Sequence, residues 1–451
     1  MTLAFSSDEA SPLVHALLDS SPFTSGVDLG IDARDEMLAF LVDTFERDRD
    51  RALFAYFRSG ASIADSMLQV LRWRFGGDLG RMGNLLDFAS GYGRVTRFLV
   101  REVPPEQVWV SDVYAGGVEF QSRRFGVHGI VSAVRPEDFE CGERFGAILV
   151  TSLFTHLPEE RFVDWLRVLC GLLAPGGVLV FSAHGPEVLP AGMAMPASGF
   201  LFQELSESGS LAKSDYGSTW VTEDFVRGAL ARAAGEGRAS LHRLPRGLCN
   251  YQDLYVATLE PGVDFSGLGF RGEPELSLEH CSLGMDGVLN FKGWAAERTG
   301  VVREVRVLLD RALLITAPVK GPRDDVAARL GDRFRMSGWG CAAPLPAGAS
   351  RSRSALVLSV VDDRGVASPL FASTIDAALL GFSRLEVGVL QGELERALEQ
   401  FRGRLEEERA QAASEAAALQ ARIAAMEASR FWKARNAWFR FKRMAGLTEE
   451  T

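Results

Sequence analysis

The sequence predicts an α/β protein that carries two further parts, a small all-β sandwich and a long C-terminal helix. Three patterns predict it. From Asn84 to Ser182, short and continuously apolar runs alternate with amphipathic helical stretches, as βαβ units do around a buried parallel sheet. From about Leu276 to Thr374, strand-like runs are separated by glycine turns. Beyond Arg384, apolar residues recur at three- and four-residue steps.

Residues 1–33 read as an N-terminal extension and 34–260 as the α/β domain. Residues 34 to 75 read as helical, because Met37, Phe40, Leu41 and Phe45, then Leu53, Phe54 and Phe57, follow i, i+3, i+4 spacing. The period then changes. Asn84 to Ala89 is a short apolar run ending in small residues, and a helical stretch from Arg94 to Val103 follows it. Further strands are expected at Val108–Asp112, Gly129–Ser132, Ala147–Thr151 and Gly177–Ser182, with a helix from Glu159 to Leu173. Thr222 to Ala234 reads as a helix with Thr222 as N-cap, and Asp253–Thr258 as the last strand. The glycine-rich stretch from Pro261 to Pro274 reads as a linker.

Residues 275–376 read as the sandwich, with strands at Leu276–Ser282, Val288–Ala295, Val302–Leu309, Leu313–Ala317 and Leu356–Val361. Residues 384–428 read as a coiled coil and hence a homo-oligomer contact, with a single solvated helix docked on its own body as the alternative. Leu394, Leu398, Phe401 and Leu405, then Ala412, Ala416, Leu419, Ile423 and Met426, form its seam, which Glu408 interrupts. Residues 429–447 read as a basic aromatic amphipathic helix. Phe431, Ala434, Trp438, Phe441 and Ala445 share one face, and Arg430, Lys433 and Arg440 lie off it. That pattern suits an anionic membrane surface, with a partner-protein groove as the competing reading.

The chain has 451 residues, 47% of them apolar, which is enough for more than one core. Its net charge of −10 argues against a nucleic-acid partner, since neutralising phosphates needs a basic surface. Six Lys or Arg and no acid fall between Ser429 and Arg443, so an acidic body carries a basic tail. The five cysteines are odd in number and never form C-x-x-C, which points to a reducing compartment. The N-terminus has no basic and then apolar leader, and no run approaches the roughly 18 apolar residues of a membrane span. A cytoplasmic location is expected, with the tail seating on the inner face of the membrane.

The strongest chemical signal is the run from Leu85 to Arg94, LLDFASGYGR. A strand ends in an acid, small residues follow, and a helix begins. Gly91 and Gly93 let backbone approach a ligand with no Cβ in the way. Asp112 ends the next strand, 19 positions after Gly93, where an acid can accept both hydroxyls of a ribose. A dinucleotide site wants a third glycine, and Thr96 stands there. The alternative is S-adenosylmethionine, which has no phosphate.

Here the sequence resembles the class I S-adenosylmethionine-dependent methyltransferases. Asp87, Ala89, Gly91 and Gly93 occupy the places of their first motif, with Ala89 in place of the usual first glycine. Asp112 matches their ribose-binding acid. Leu173 to Gly177, LAPGG, matches their turn before the fifth strand, and Ser152 to Pro158 matches the segment after the fourth. The resemblance covers roughly residues 34 to 260. It implies a Rossmann-like seven-stranded sheet with its last strand antiparallel, and S-adenosyl-L-methionine as cofactor. The cofactor contacts it implies are Asp87, Ala89, Ser90, Gly91, Tyr92, Gly93, Asp112 and Ser152.

The implied reaction is in-line methyl transfer, in which one proton needs handling. His156, after the fourth strand, is the expected catalytic base, with His184 a second candidate. The remaining histidines are scattered without metal-ligand spacing, so no metal site is expected. The β-region, with Trp294 and Trp339, loosely resembles modules appended to bacterial glycan-modifying enzymes. Those tryptophans either stack on sugars or pack a core. The acceptor expected is a hydroxyl on a bacterial surface glycan or its precursor. A small metabolite or protein acceptor is the alternative, as is a non-catalytic cofactor-binding assembly scaffold.

Overall fold

The computed structural model describes residues 12–19, 23–45, 47–204, 212–379, 411, 420–421 and 430–444. The chain divides into two units, residues 1–392 and 393–451.

In the first unit, helix α1 (Pro12–Leu18) is followed by α2 (Glu36–Thr44) and α3 (Arg49–Arg74). The helical stretch expected over 34–75 is two helices. Asp35 caps α2 by accepting the Leu38 N–H, and Asp48 caps α3 by accepting the Arg51 N–H. Arg47, at φ 69°, turns the chain between them. The apolar spacing continues across the break, but an N-cap aspartate inside the run starts a new helix.

The sheet that follows is built from β1 (Leu85–Phe88), β2 (Val108–Asp112), β3 (His128–Val131), β4 (Phe145–Val150) and β5 (Leu173–Ala183). Helices α4 (Thr96–Leu99), α5 (Ala115–Phe125) and α6 (Glu159–Leu172) connect them. Then come β6 (Phe200–Gln203), β7 (Ser218–Val221), α7 (Glu223–Ala234), β8 (Ser240–Leu248) and β9 (Gln252–Thr258). The strand order is β3-β2-β1-β4-β5-β9-β8, with β6 and β7 paired apart from it. β1 to β5 run parallel, and β9 runs antiparallel to both β5 and β8. This is the seven-stranded, mostly parallel sheet that the resemblance implied. Every residue of β1 and β4 is buried, because both faces of the sheet are covered. The chain order reverses between β1 and β4, so their carboxyl ends flank a crevice.

β8 escaped the sequence reading. It is an edge strand with Pro245 and few fully buried residues, so its pattern is not that of a central strand. The helix expected over 94–103 is regular only over α4.

Residues 275–374 form two antiparallel sheets. One holds β10 (Glu275–Leu283), β11 (Val288–Ala296) and β14 (Gly338–Pro344), in that order. The other has the order β13-β12-β15-β16, where β12 is Val302–Leu309, β13 Ala312–Pro318, β15 Ala355–Asp362 and β16 Ala367–Thr374. Helix α8 (Asp324–Leu330) precedes β14, and α9 (Ile375–Leu379) follows β16. β14, sequence GWGCAAP, has little strand propensity of its own and is held by its ladder to β11. Trp294 and Trp339 are both buried, so they pack the core and present no face to a sugar.

These sheets share a hydrophobic core with the α/β region. Val14 and Leu17 of α1, Phe54 and Phe57 of α3, and Val307 and Leu356 of the β-region belong to one cluster. Ion pairs Arg58–Glu273 and Arg271–Asp65 tie α3 to the segment entering β10.

The second unit contains α10 (Arg430–Met444). Trp438 and Phe441 stack at 6.1 Å on its exposed surface, and Lys442 lies over the Trp438 ring. The expected coiled coil, 384–428, lies outside the described residues apart from 411, 420 and 421. Among the described residues, no helix is long and apolar enough to cross a membrane.

Candidate active site

A cavity of about 280 Å³ opens at the carboxyl ends of β1, β2 and β4, close to the lower end of the roughly 300–1,000 Å³ typical of small-molecule clefts. Its floor is the loop after β1. Ala89 is left-handed there, at φ 59°, a conformation that costs an alanine and not a glycine. Gly91 is also left-handed, at φ 58°, and a Cβ built on it meets nothing within 4 Å. The space beside it belongs to the cavity.

Gly93 has a different task. A Cβ there would lie 2.5 Å from the Phe125 ring and 3.0 Å from the Gln121 side chain. Its small size lets α5 pack on the loop, and it does not line the cavity. The expectation that Gly93 admits a ligand is corrected accordingly. The other expected residues, Asp87, Ala89, Ser90, Gly91, Tyr92, Asp112, Ser152 and His156, all line the cavity.

Asp112 is buried at the end of β2. Its Oδ2 accepts the Gly91 N–H at 2.8 Å and its Oδ1 the Tyr114 N–H at 3.0 Å. Asp112 lines the cavity, and an ionised carboxylate can accept more than these two bonds. Burial raises its pKa against the pull of these N–H groups.

Asp87 lies deeper, and its partner is a hydroxyl. Its Oδ2 is 2.7 Å from Thr96 Oγ1, which is also 2.7 Å from Gln121 Oε1. The Gln121 amide is oriented by its other end, where Nε2 donates to the Gly91 carbonyl and to Ser90 Oγ, both at 2.9 Å. Thr96 has one proton to donate. Both of its contacts are hydrogen bonds only when Asp87 carries a proton and donates to Thr96. Burial pushes the Asp87 carboxyl up to about 7, in keeping with that arrangement. Thr96 itself is fully buried and fills the place that a third glycine leaves open in a dinucleotide site.

The far wall comes from the segment after β4. Ser152, left-handed at φ 60°, is held by its N–H on Ser182 Oγ and its hydroxyl against Gln252. His156 Nδ1 lies 2.7 Å from the Gly217 carbonyl, so Nδ1 carries the proton and Nε2 is left as an acceptor. The ring stacks on Tyr216 at 4.3 Å. Burial lowers its pKa to about 4, so the imidazole is neutral at pH 7. His184 is buried against Thr219 and Trp220 and does not line the cavity. Among the described residues, no group of His, Cys, Asp and Glu is arranged to hold a metal ion.

No protein-family model matches this chain, and no curated protein matches it. Some solved structures are similar to it. A S-adenosylmethionine-dependent methyltransferase from Clostridium acetobutylicum is 12% identical, covering 49% of this chain and 97% of that one, at a TM-score of 0.34. The sugar N-methyltransferase KedS8 from a Streptoalloteichus species is 18% identical over 48% of this chain and 92% of its own, at 0.34. The glycopeptide N-methyltransferase MtfA, solved complexed with S-adenosyl-L-methionine, is 17% identical over 41% and 84%, at 0.30.

Several cavity residues were not foreseen. Asp35, the N-cap of α2, reaches it with Glu36, Met37 and Phe40 of that helix, and Arg94 from the end of the loop. Gln121 was missed although the sequence carries a signal for it. It shares the buried face of α5 with Val118 and Phe125, and a polar residue there must find partners.

Proposed function

We propose that this chain binds S-adenosylmethionine and transfers its methyl group to a hydroxyl. The observation that carries the reading is Asp112 beside the open Gly91 loop at the sheet's switch point, with a neutral His156 in the same cavity. The residues suit that cofactor. Asp112 accepts ribose hydroxyls, Gly91 leaves the room that a Cβ would fill, and Thr96 closes the approach that a pyrophosphate site needs.

When bound, the cofactor supplies an electrophilic methyl on a sulfonium. The protein's part is to orient the acceptor, exclude water and take one proton. His156 Nε2 is the acceptor for that proton. A neutral imidazole suffices for a hydroxyl, whose proton becomes strongly acidic as the oxygen is alkylated.

The acceptor class is a surface glycan or its precursor, argued from the β-module's resemblance alone. Incubation with methyl-labelled cofactor and fractionated envelope material tests it. Label in a glycan fraction supports the reading. Label only in protein or small metabolites replaces the acceptor, and no turnover with any fraction favours the assembly scaffold.

The C-terminal helix fits the same setting. Its exposed aromatics Trp438, Phe439 and Phe441 stand among Arg435, Arg440, Lys442 and Arg443, and we read it as seating on an anionic lipid surface, with 384–428 joining copies of the chain.

A further inference from the structure

Arg94 follows Gly93 and lines the cavity. Its stem is seated on α3. A Cβ on Gly60 would lie 2.4 Å from the Arg94 carbonyl oxygen and 3.2 Å from Arg94 Cγ, so only glycine admits it there. At its tip, Nη1 donates to Ser59 Oγ at 2.8 Å. That hydroxyl is neutral. Among the described residues, no carboxylate hydrogen-bonds this guanidinium; the buried Asp87 carboxyl only feels its charge through space, which pulls the Asp87 pKa down against burial. The cavity wall is otherwise acidic, with Asp35, Glu36, Asp87, Asp112 and Asp215 on it, and Arg94 is the one Lys or Arg among the described lining residues. A half-buried guanidinium whose N–H groups meet only a neutral hydroxyl keeps donors for a ligand that brings an anion.

We propose that Arg94 binds the α-carboxylate of the methionine half of S-adenosylmethionine, while Asp112 holds the ribose. The inference rests on the cofactor reading above. The ligand has one carboxylate and no phosphate, and a planar guanidinium fork matches a carboxylate with two parallel hydrogen bonds. Asp112 binds the loop at Gly91, and Arg94 stands at the loop's exit, so the two residues would hold the ribose and the carboxylate of the cofactor from either end of the loop. Ser59 and Gly60 fix the fork in advance, which spares the binding step that ordering.

Titration calorimetry on the full chain tests this with two ligands. S-adenosylhomocysteine has the carboxylate. 5′-Methylthioadenosine keeps the adenosine and the thioether but lacks the amino acid. Arg94→Met is expected to weaken S-adenosylhomocysteine about 10- to 100-fold, the range of a charge-assisted hydrogen bond, and to leave methylthioadenosine unchanged. Arg94→Lys keeps the charge and is expected to lose less. Asp112→Ala is expected to weaken both ligands. Unchanged S-adenosylhomocysteine affinity in Arg94→Met overturns the inference. So does an equal loss for both ligands, which assigns Arg94 to loop architecture through Ser59. If the wild-type chain binds neither ligand, the cofactor reading itself fails, and that is visible before any variant is made.

Discussion

Asp112 Oδ2 accepts the Gly91 N–H at 2.8 Å, which ties the acid at the end of β2 to the loop at the end of β1. Gln121 holds the same residue from the other side, donating to the Gly91 carbonyl at 2.9 Å. Gly91 is thus fixed at both of its backbone polar groups. Asp112→Ala removes one tether and the ribose acceptor together. Leaving buried hydroxyls unpaired costs about 1–3 kcal/mol, so S-adenosylmethionine affinity is expected to fall roughly 5- to 150-fold. Gly91→Val fills the open space beside the loop and is expected to abolish binding. Calorimetry showing normal affinity in both variants contradicts the site.

The Asp87–Thr96–Gln121 chain predicts a pH dependence. Burial raises the Asp87 pKa in the folded chain to about 7, from the 3.8 of an ordinary aspartate. Between those values the native state holds the proton and the unfolded state does not. The carboxyl therefore contributes stability that is complete below the unfolded value and is lost as pH rises to about 7. Asn at this position is neutral at every pH and can donate to Thr96. Thermal melts should show Asp87→Asn gaining on the wild type from pH 5 to 7 and levelling off above. A constant difference across that range means that Asp87 is already ionised.

His156 predicts a different profile. As the proton acceptor it is active when neutral, and its pKa is lowered to about 4. The acid limb of the pH–rate curve should fall near 4 and not near the ordinary 6.5. His156→Ala is expected to lower turnover by roughly 10²- to 10⁴-fold with cofactor affinity intact. Loss of affinity or of folding in that variant makes the residue structural.

Ala89 sits at φ 59° without a glycine's freedom. Ala89→Gly should relieve that conformation and stabilise the chain by about 0.5–1 kcal/mol. The check is a thermal melt, and a clear destabilisation contradicts the strained-alanine reading.

For the tail, co-sedimentation with anionic vesicles should fall with added salt and with Trp438→Ala plus Phe441→Ala, since each surface cation adds about 1 kcal/mol at most. A full-length chain that ignores anionic vesicles at low salt leaves a protein partner as the occupant. A chain ending at Ser383 should lose the full-length oligomeric state in light scattering.

The central sheet was legible because strands buried on both faces are written as continuous apolar runs, as Phe145 to Val150 is. β8 and β14 were not, because an edge strand with Pro245 and a glycine- and alanine-rich strand take their conformation from their neighbours. The loop motif placed Asp87, Gly91 and Asp112 around one cavity, yet spacing alone does not separate Gly91, which faces open space, from Gly93, which faces Phe125. Gln121 is marked by its place on the buried face of α5, whereas the α2 residues depend on helix packing across the sheet's end, which no local pattern encodes.

The account turns on what the Asp112–Gly91 cavity binds, and titration calorimetry of the wild-type chain with S-adenosylmethionine and with NAD measures it most directly. Saturable binding of S-adenosylmethionine at one site, with none of NAD, is the expected result. Binding of NAD with none of S-adenosylmethionine contradicts the account.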